Sequence, residues 1–177
     1  MVKTFTIAGD IDQELMHEFS EFYNGLAEGD KVFVFLCSDG GMSSSKEAIL
    51  GMLEIYKDIT CLVGYGCLSS AAFELFFDYT GNRELTGTCC GMYHRATTSI
   101  VTDSSGKPKG TEGLFSQKEI KRTHWAYAQG LMEHVGMGDK DKNKITSGAD
   151  VYFTCEQMKS FLVTSKNKLR IISEIPE

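Results

Sequence analysis

The sequence predicts a single α/β domain built on a mainly parallel sheet, and three observations predict it. Short β-prone runs alternate with runs of helical period through the first hundred residues. One of those runs, Val32-Phe33-Val34-Phe35-Leu36, is apolar without interruption, as expected for a strand covered on both faces. The chain has 177 residues, 42% of them hydrophobic, which suffices for one core without disulfide or metal staples.

The elements follow in order. Thr4 to Ala8 reads as a strand ending at Gly9. Residues 11 to 26 place Ile11, Leu15, Phe19, Phe22 and Leu26 on one helical stripe, with Gly25 and Gly29 near its end. Val32 to Leu36 is the second strand, and Ser38-Asp39-Gly40-Gly41 reads as the turn after it. A helix follows, with Ser44 and Glu47 spaced as a capping box and Ile49, Met52, Leu53 and Tyr56 on its apolar face. Ile59 to Val63 is a third strand, Gly64-Tyr65-Gly66 a turn, and Ser70 to Tyr79 a helix. Cys89 to Tyr93 is another strand. The polar stretch from Thr97 to Glu112 reads as a loop or hairpin, because it holds Gly106, Pro108 and Gly110. A long helix then runs from Ser116 to about Val135 and stops at Gly136. The tail holds one more short helix and a possible strand near Leu169 to Ile172.

Composition excludes several classes. The net charge is −6, and the cluster Lys140-Asp141-Lys142-Asn143-Lys144 is broken by an aspartate, so no basic face for nucleic acid is expected. The N-terminus lacks the apolar core of a signal peptide, and the longest apolar runs are too short to span a bilayer. A cytoplasmic protein is expected, with no membrane partner. Cysteines 37, 61, 67, 89, 90 and 155 sit mostly in apolar segments and read as reduced, buried small hydrophobes. Cys89, Cys90 and His94 lack a second Cys or His pair at ligand spacing, so neither metal nor cofactor is expected.

Three strand ends carry unusual chemistry, and parallel sheets build their sites at such ends. Ser70 follows a glycine turn and opens a helix, where the helix dipole favours developing negative charge. Alone it reads as an N-cap. His94 ends an apolar strand, and alone it reads as a structural histidine. Histidines 17, 124 and 134 lie on predicted helices and carry no catalytic argument. Gly40-Gly41 can turn the backbone tightly and expose N–H donors to an oxyanion, although a lone glycine pair is common. Together the three supply what acyl transfer needs: a weak alcohol, a base to activate it, and fixed donors for the oxyanion.

At these residues the chain resembles the ClpP family, the proteolytic subunits of Clp proteases. Leu36-Cys37-Ser38-Asp39-Gly40-Gly41 resembles the family's strand followed by Ser-Pro-Gly-Gly, with Asp39 in place of proline. Gly66-Cys67-Leu68-Ser69-Ser70-Ala71-Ala72-Phe73 resembles the Gly-x-Ala-x-Ser-Met-Gly-Ala nucleophile segment, and Met92-Tyr93-His94 the strand ending in the catalytic histidine. Gly41 to Ser70 spans 29 residues and Ser70 to His94 spans 24, both close to the family's spacing. Phe5 to Ile11 resembles its first strand and turn, so the resemblance covers roughly residues 4 to 163.

The resemblance implies a ClpP/crotonase fold: a repeated β-β-α superhelix in one domain over residues 1–177, with a protruding handle region at about 97–136. It implies a serine endopeptidase with Ser70 as nucleophile and His94 as general base, and with the backbone N–H groups of Gly41 and Ala71 as oxyanion hole. Gly40, Met42, Arg95 and Ala96 would hold the substrate backbone. Aligned on Lys142 to Ser147, the third triad position falls on Asn143, or on Asp141 after a two-residue slip. Asparagine can orient an imidazole but cannot stabilise imidazolium by charge. The family further implies homo-oligomeric rings, possibly double, that take unfolded polypeptide or peptides, and a Clp-type ATPase partner. The sequence begins almost at the first strand, where the family carries an axial ATPase-docking segment, so the ATPase is the least supported of these partners. Two alternatives stand beside the peptidase: a weak or inactive ClpP-like scaffold subunit, and a crotonase-type acyl-CoA enzyme.

Overall fold

A computed structural model of the chain describes residues 1–94 and 117–166. Its strands are β1 (Val2–Ile11), β2 (Lys31–Gly41), β3 (Thr60–Ser69), β4 (Asn82–Leu85), β5 (Cys90–Tyr93) and β6 (Val151–Phe153). Its helices are α1 (Gln13–Asn24), α2 (Ser43–Ile55), α3 (Ala71–Asp78), α4 (Gln117–His134), α5 (Asp139–Thr146) and α6 (Cys155–Lys166). The strands form one sheet in the order β1-β2-β3-β5-β6, with β4 also pairing β3. Every pairing is parallel except β5 with β6, which is antiparallel. This is the predicted α/β class. No helix among the described residues is long and apolar enough to cross a membrane.

Local chemistry sets the early elements. Asp12 caps α1 by accepting from the Leu15 N–H at 2.9 Å, and Gly25 closes the helix. Phe19 and Tyr23 bury its apolar stripe, and Phe19 meets Phe5 of β1 edge-on at 5.1 Å. β2 alternates: Val32, Val34 and Leu36 are buried, whereas Phe33, Phe35 and Cys37 are half-buried. The second face is therefore only partly covered, against the expectation of burial on both.

Two expected turns are strand instead. β2 runs on through Gly40 and Gly41, and Ile11 of β1 pairs with Gly41. β3 runs through Gly64-Tyr65-Gly66 to Ser69. A side chain at Gly64 would stand 2.8 Å from Leu85 and 2.9 Å from Leu68, so glycine lets those leucines close over the strand. Gly66 at φ +59° then redirects it. Residues 61–64 of β3 pair with β4, and residues 67–69 pair with β5. That division sends the strand end carrying Ser70 toward the strand end carrying His94.

The expected capping box does not form. α2 opens at Ser43 behind Met42, which places Ser44 inside the first turn rather than at the cap. Glu47 instead takes the Lys46 ammonium at 2.5 Å. β4, between α3 and β5, was not expected, and the tail is richer than expected, because β4, β6 and the separation of α5 from α6 carry weak sequence signals. The long helix lies where it was expected, with Ala128, Leu131 and Met132 in the core. The rest of the proposed handle region, residues 97–116, and the possible strand at 169–172 lie outside the described residues.

An aromatic cluster ties the later elements together. Phe73 of α3 is fully buried. It stacks on Tyr93 of β5 at 5.2 Å and meets Phe153 of β6 at 5.6 Å and Phe161 of α6 at 6.4 Å. It lies three residues after Ser70, and its partners flank His94 and β6. Phe73→Ala is expected to cost about 3–5 kcal/mol in urea unfolding, and to loosen those strand ends together. A loss below 1 kcal/mol, roughly the surface-substitution range, would show that the cluster does not hold them.

Candidate active site

The nucleophile candidate sits on a strained backbone. Ser70 has φ 51° and ψ −118°, and it is the one non-glycine residue at positive φ among the described residues. Such a conformation costs roughly 1–3 kcal/mol and persists only where its surroundings enforce it. Two hydrogen bonds do so: Ser70 N–H donates to Met92 O of β5 at 2.9 Å, and Glu74 N–H of α3 donates to Ser70 O at 3.1 Å. The result is a sharp strand-to-helix turn that aims the side chain out of the backbone. Ser70 occupies the N-cap position, yet its hydroxyl caps nothing in the helix.

That hydroxyl meets histidine instead. Ser70 Oγ and His94 Nε2 are 2.8 Å apart. The pairing of β3 with β5 puts them there, since Ser69 lies opposite Met92, and each strand then runs one or two residues further to its reactive side chain. The two residues that sequence spacing singled out thus lie in hydrogen-bond contact.

The third position differs from the sequence reading. His94 Nδ1 faces Asp150 Oδ1 at 3.3 Å. Asn143 and Asp141 both lie in α5, and neither is a partner of His94. The cause is β6, which sequence analysis missed. It pairs antiparallel with β5, with Tyr93 opposite Val151, so the next residues outward, His94 and Asp150, fall side by side. Gly148 at φ +91° lets the chain leave α5 and enter that strand. The readable signal was an aspartate directly ahead of the β-prone Val151-Tyr152-Phe153. The His94 side chain is 28% exposed and that of Asp150 52%, so the pair sits at an open strand end.

The glycines lie where close approach demands them. A Cβ on Gly40, at φ +107°, would stand 2.8 Å from Ser70 Cβ and 3.0 Å from Ala71 N. A Cβ on Gly41 would stand 2.4 Å from Ile11 O of β1. Only glycine therefore lets β2 pass between β1 and the serine turn. Ser38 Oγ accepts from the Gly40 N–H at 3.0 Å and donates to Gly9 O, which pins this crossing to β1. Ala71 opens α3, so its N–H has no acceptor within the helix. Met42 follows as an exposed side chain whose N–H is held by Ile11 O at 2.7 Å. Arg95 and Ala96 lie outside the described residues.

A buried charge cluster adjoins the site, and sequence reading missed it. Lys46 of α2 is 1% exposed and binds Glu47 at 2.5 Å, Glu74 at 3.3 Å and the Tyr127 hydroxyl at 3.1 Å, with Asp78 at 3.8 Å. Burial alone would push Lys46 down, but Glu74, Asp78 and Glu47 together hold its ammonium above the usual lysine range. Burial, aided by Glu74 and Glu47, holds the Asp78 carboxyl well above the usual carboxylate range. Tyr93, next to His94, donates to Glu74 at 3.2 Å, and burial with that carboxylate pushes its hydroxyl far up.

No disulfide joins the six cysteines; Cys89 is buried, Cys90 exposed and the others half-buried. Only Cys89 meets the expectation of full burial, and Cys90, exposed on β5, departs from it most. Among the described residues no group of three His, Cys, Asp or Glu side chains could hold a metal ion.

No family model matches the sequence, and no curated protein sequence matches it. Solved structures do. An asparagine-to-aspartate mutant of ClpP1 from Listeria monocytogenes matches with a TM-score of 0.64 at 23% identity, over 89% of this chain and 86% of that one. The fold of this chain is therefore ClpP-like, a mixed α/β architecture retained where sequence similarity is low.

Proposed function

We propose that the chain is a serine-type peptide hydrolase working through an acyl-enzyme, with Ser70, His94 and Asp150 as its triad. The single observation that carries this is the 2.8 Å contact of Ser70 Oγ with His94 Nε2 on the strained turn. A structural serine has no need of positive φ.

His94 Nε2 takes the Ser70 proton as Oγ attacks a peptide carbonyl. Asp150 accepts from Nδ1–H, keeps the ring in the tautomer that leaves Nε2 basic, and stabilises the imidazolium. The N–H groups of Gly41 and Ala71 bind the oxyanion. His94 then protonates the leaving amine, and water hydrolyses the acyl-serine by the same steps reversed. The backbone after Gly40, at Met42, and after His94, at Arg95 and Ala96, holds the substrate as an added strand.

The ClpP-like fold supports a ring-shaped homo-oligomer, single or double, acting on peptides or unfolded polypeptide, with a Clp-type ATPase as a possible feeder. Six thiols outside any disulfide fit a reducing cytoplasm.

Incubation with a fluorophosphonate probe and mapping by mass spectrometry test the assignment. Labelling is expected on Ser70, and it should be lost in Ser70→Ala and strongly slowed in His94→Ala. Labelling that persists in Ser70→Ala would sink the nucleophile assignment. Absence of both labelling and peptide cleavage in the wild type would favour a scaffold subunit.

A further inference from the structure

Three cysteines converge on Gly66, just upstream of the serine turn. Cys37 Sγ of β2 lies over that glycine, where a Cβ would stand 2.7 Å from it. Cys90 Sγ of β5 donates to Gly66 O at 3.3 Å. Cys67 follows in β3, and its Sγ meets Ser69 Oγ at 3.1 Å. Two of the three stand opposite one another, because Cys67 pairs with Cys90 in the parallel register of β3 and β5. Directly opposed residues point to the same face of a sheet. Leu68 and Gly91 beside them are buried, so the two thiols share the less covered face, with Cys67 half-buried and Cys90 exposed. Cys37 lies where the β2–β3 register shifts, and it has no cysteine opposite.

Neighbouring strands lie about 4.8 Å apart. A disulfide needs Cα atoms within about 4.4–6.8 Å and Cβ atoms about 3.8 Å apart. The backbone spacing therefore admits the bond, and closing it draws the two side chains together by about 1 Å. A bond closed under such strain is readily reduced again.

We propose that Cys67 and Cys90 form a redox pair, which a low-molecular-weight disulfide such as oxidised glutathione joins across β3 and β5, and that this bond slows the Ser70 site. The bond stands on the strand register, whereas its effect rests on the hydrolase reading of Ser70. The exposed Cys90 thiolate attacks one glutathione sulfur, and the other glutathione leaves as a thiolate and takes up a proton. The Cys67 thiolate then attacks Cys90 Sγ and expels the remaining glutathione. Two protein thiols are oxidised, one glutathione disulfide is reduced to two thiols, and two protons pass from the cysteines to glutathione. Partial burial and the Cys67 thiol push the Cys90 thiol up, so exchange quickens as pH rises.

The reach to the site is short. Cys67 precedes Ser70 by three residues, and Cys90 precedes His94 by four. Between them Ser69 pairs with Met92, whose carbonyl holds the Ser70 N–H. Forming the bond takes Cys90 Sγ off Gly66 O and Cys67 Sγ off Ser69 Oγ. A displacement of about 1 Å passed on to Ser70 or His94 can cost about a hundredfold in rate.

For the test, the full chain is equilibrated in glutathione buffers of rising disulfide-to-thiol ratio, alkylated, and mapped by mass spectrometry. Fluorophosphonate labelling of Ser70 is timed in the same buffers. A Cys67–Cys90 linked peptide is expected, absent from Cys67→Ser and from Cys90→Ser and retained in Cys37→Ser. Labelling should slow by about tenfold or more as the bond forms, and dithiothreitol should restore it. Cys90→Ser should keep its own rate through the whole series. A bond to Cys37, or glutathione adducts without a Cys67–Cys90 link, overturns the pair. A link that leaves the labelling rate unchanged overturns the effect on the site. Absence of labelling in the reduced protein, with the link still formed, overturns the hydrolase and keeps the bond. Absence of both overturns both.

Discussion

Asp150→Asn is expected to lower peptide hydrolysis by about a thousandfold, while Asn143→Asp and Asp141→Asn stay within about twofold of wild type. The geometry separates the candidates. Asp150 Oδ1 lies 3.3 Å from His94 Nδ1, whereas residues 141 and 143 lie in α5. Asparagine fits the same space but can present its amide N–H to Nδ1. The imidazole then carries its proton on Nε2, where Ser70 needs an acceptor, and imidazolium loses its counter-charge. A fully buried acid in this role can be worth roughly 10⁴. Asp150 is half exposed, at 52%, so solvent screens part of its field and the smaller figure is the expected one. The readouts are kcat on a peptide substrate and the rate of fluorophosphonate labelling, and both should fall. If Asp150→Asn keeps wild-type kcat, the site is a serine–histidine dyad. If Asn143→Asp raises kcat instead, α5 approaches His94 in the working enzyme.

The contrast between Asp150 and the other site residues shows what the sequence could carry. Ser70, His94 and Gly41 lie at the ends of strands that pair in chain order, so distances along the chain translate directly into distances in space. Each has a bland reading when taken alone, and only the joint reading of the three points to one site. Asp150 comes 56 residues after His94 and is delivered by a three-residue strand of the opposite direction. So short a strand has no periodicity to detect, and its placement depends on tertiary pairing with β5. The two glycine turns failed for a related reason. Gly40-Gly41 and Gly64 to Gly66 carry turn chemistry, but here glycine serves close packing inside continuing strands. Burial was least legible of all at Lys46. A lysine in a polar Ser-Ser-Ser-Lys-Glu run reads as solvated, and only the approach of Glu74, Asp78 and Tyr127 from α3 and α4 makes its burial possible.

Lys46 is accordingly expected to dominate the stability of this corner. Lys46→Met should destabilise the fold by about 3–5 kcal/mol at neutral pH, because it leaves buried carboxylates without their cation. The side chain is 1% exposed, and Glu74 and Asp78 around it are 10% and 5% exposed, so water cannot replace the lost ammonium. Methionine matches the length of the stem, which keeps the packing loss small beside the charge loss. The pH dependence follows from the directions of the two shifts. The Lys46 ammonium lies above its usual range, so its contribution is fully present below about pH 10 and fades as pH rises through the folded value. The Asp78 carboxyl also lies above its usual range, so it weighs against folding once pH exceeds the ordinary carboxylate value. Without Lys46 that carboxyl loses its strongest opposing pull, and the penalty extends further up in pH. The deficit of Lys46→Met should therefore be large at pH 7 and shrink on acidification, as urea midpoints along a pH series would read. Glu74→Gln in the Lys46→Met background should recover part of the loss at pH 7, since it removes an uncompensated charge and keeps an acceptor for the Tyr93 hydroxyl. Equal stability of Lys46→Met and wild type across that series would mean that water reaches the cluster and stands in for the lost ammonium.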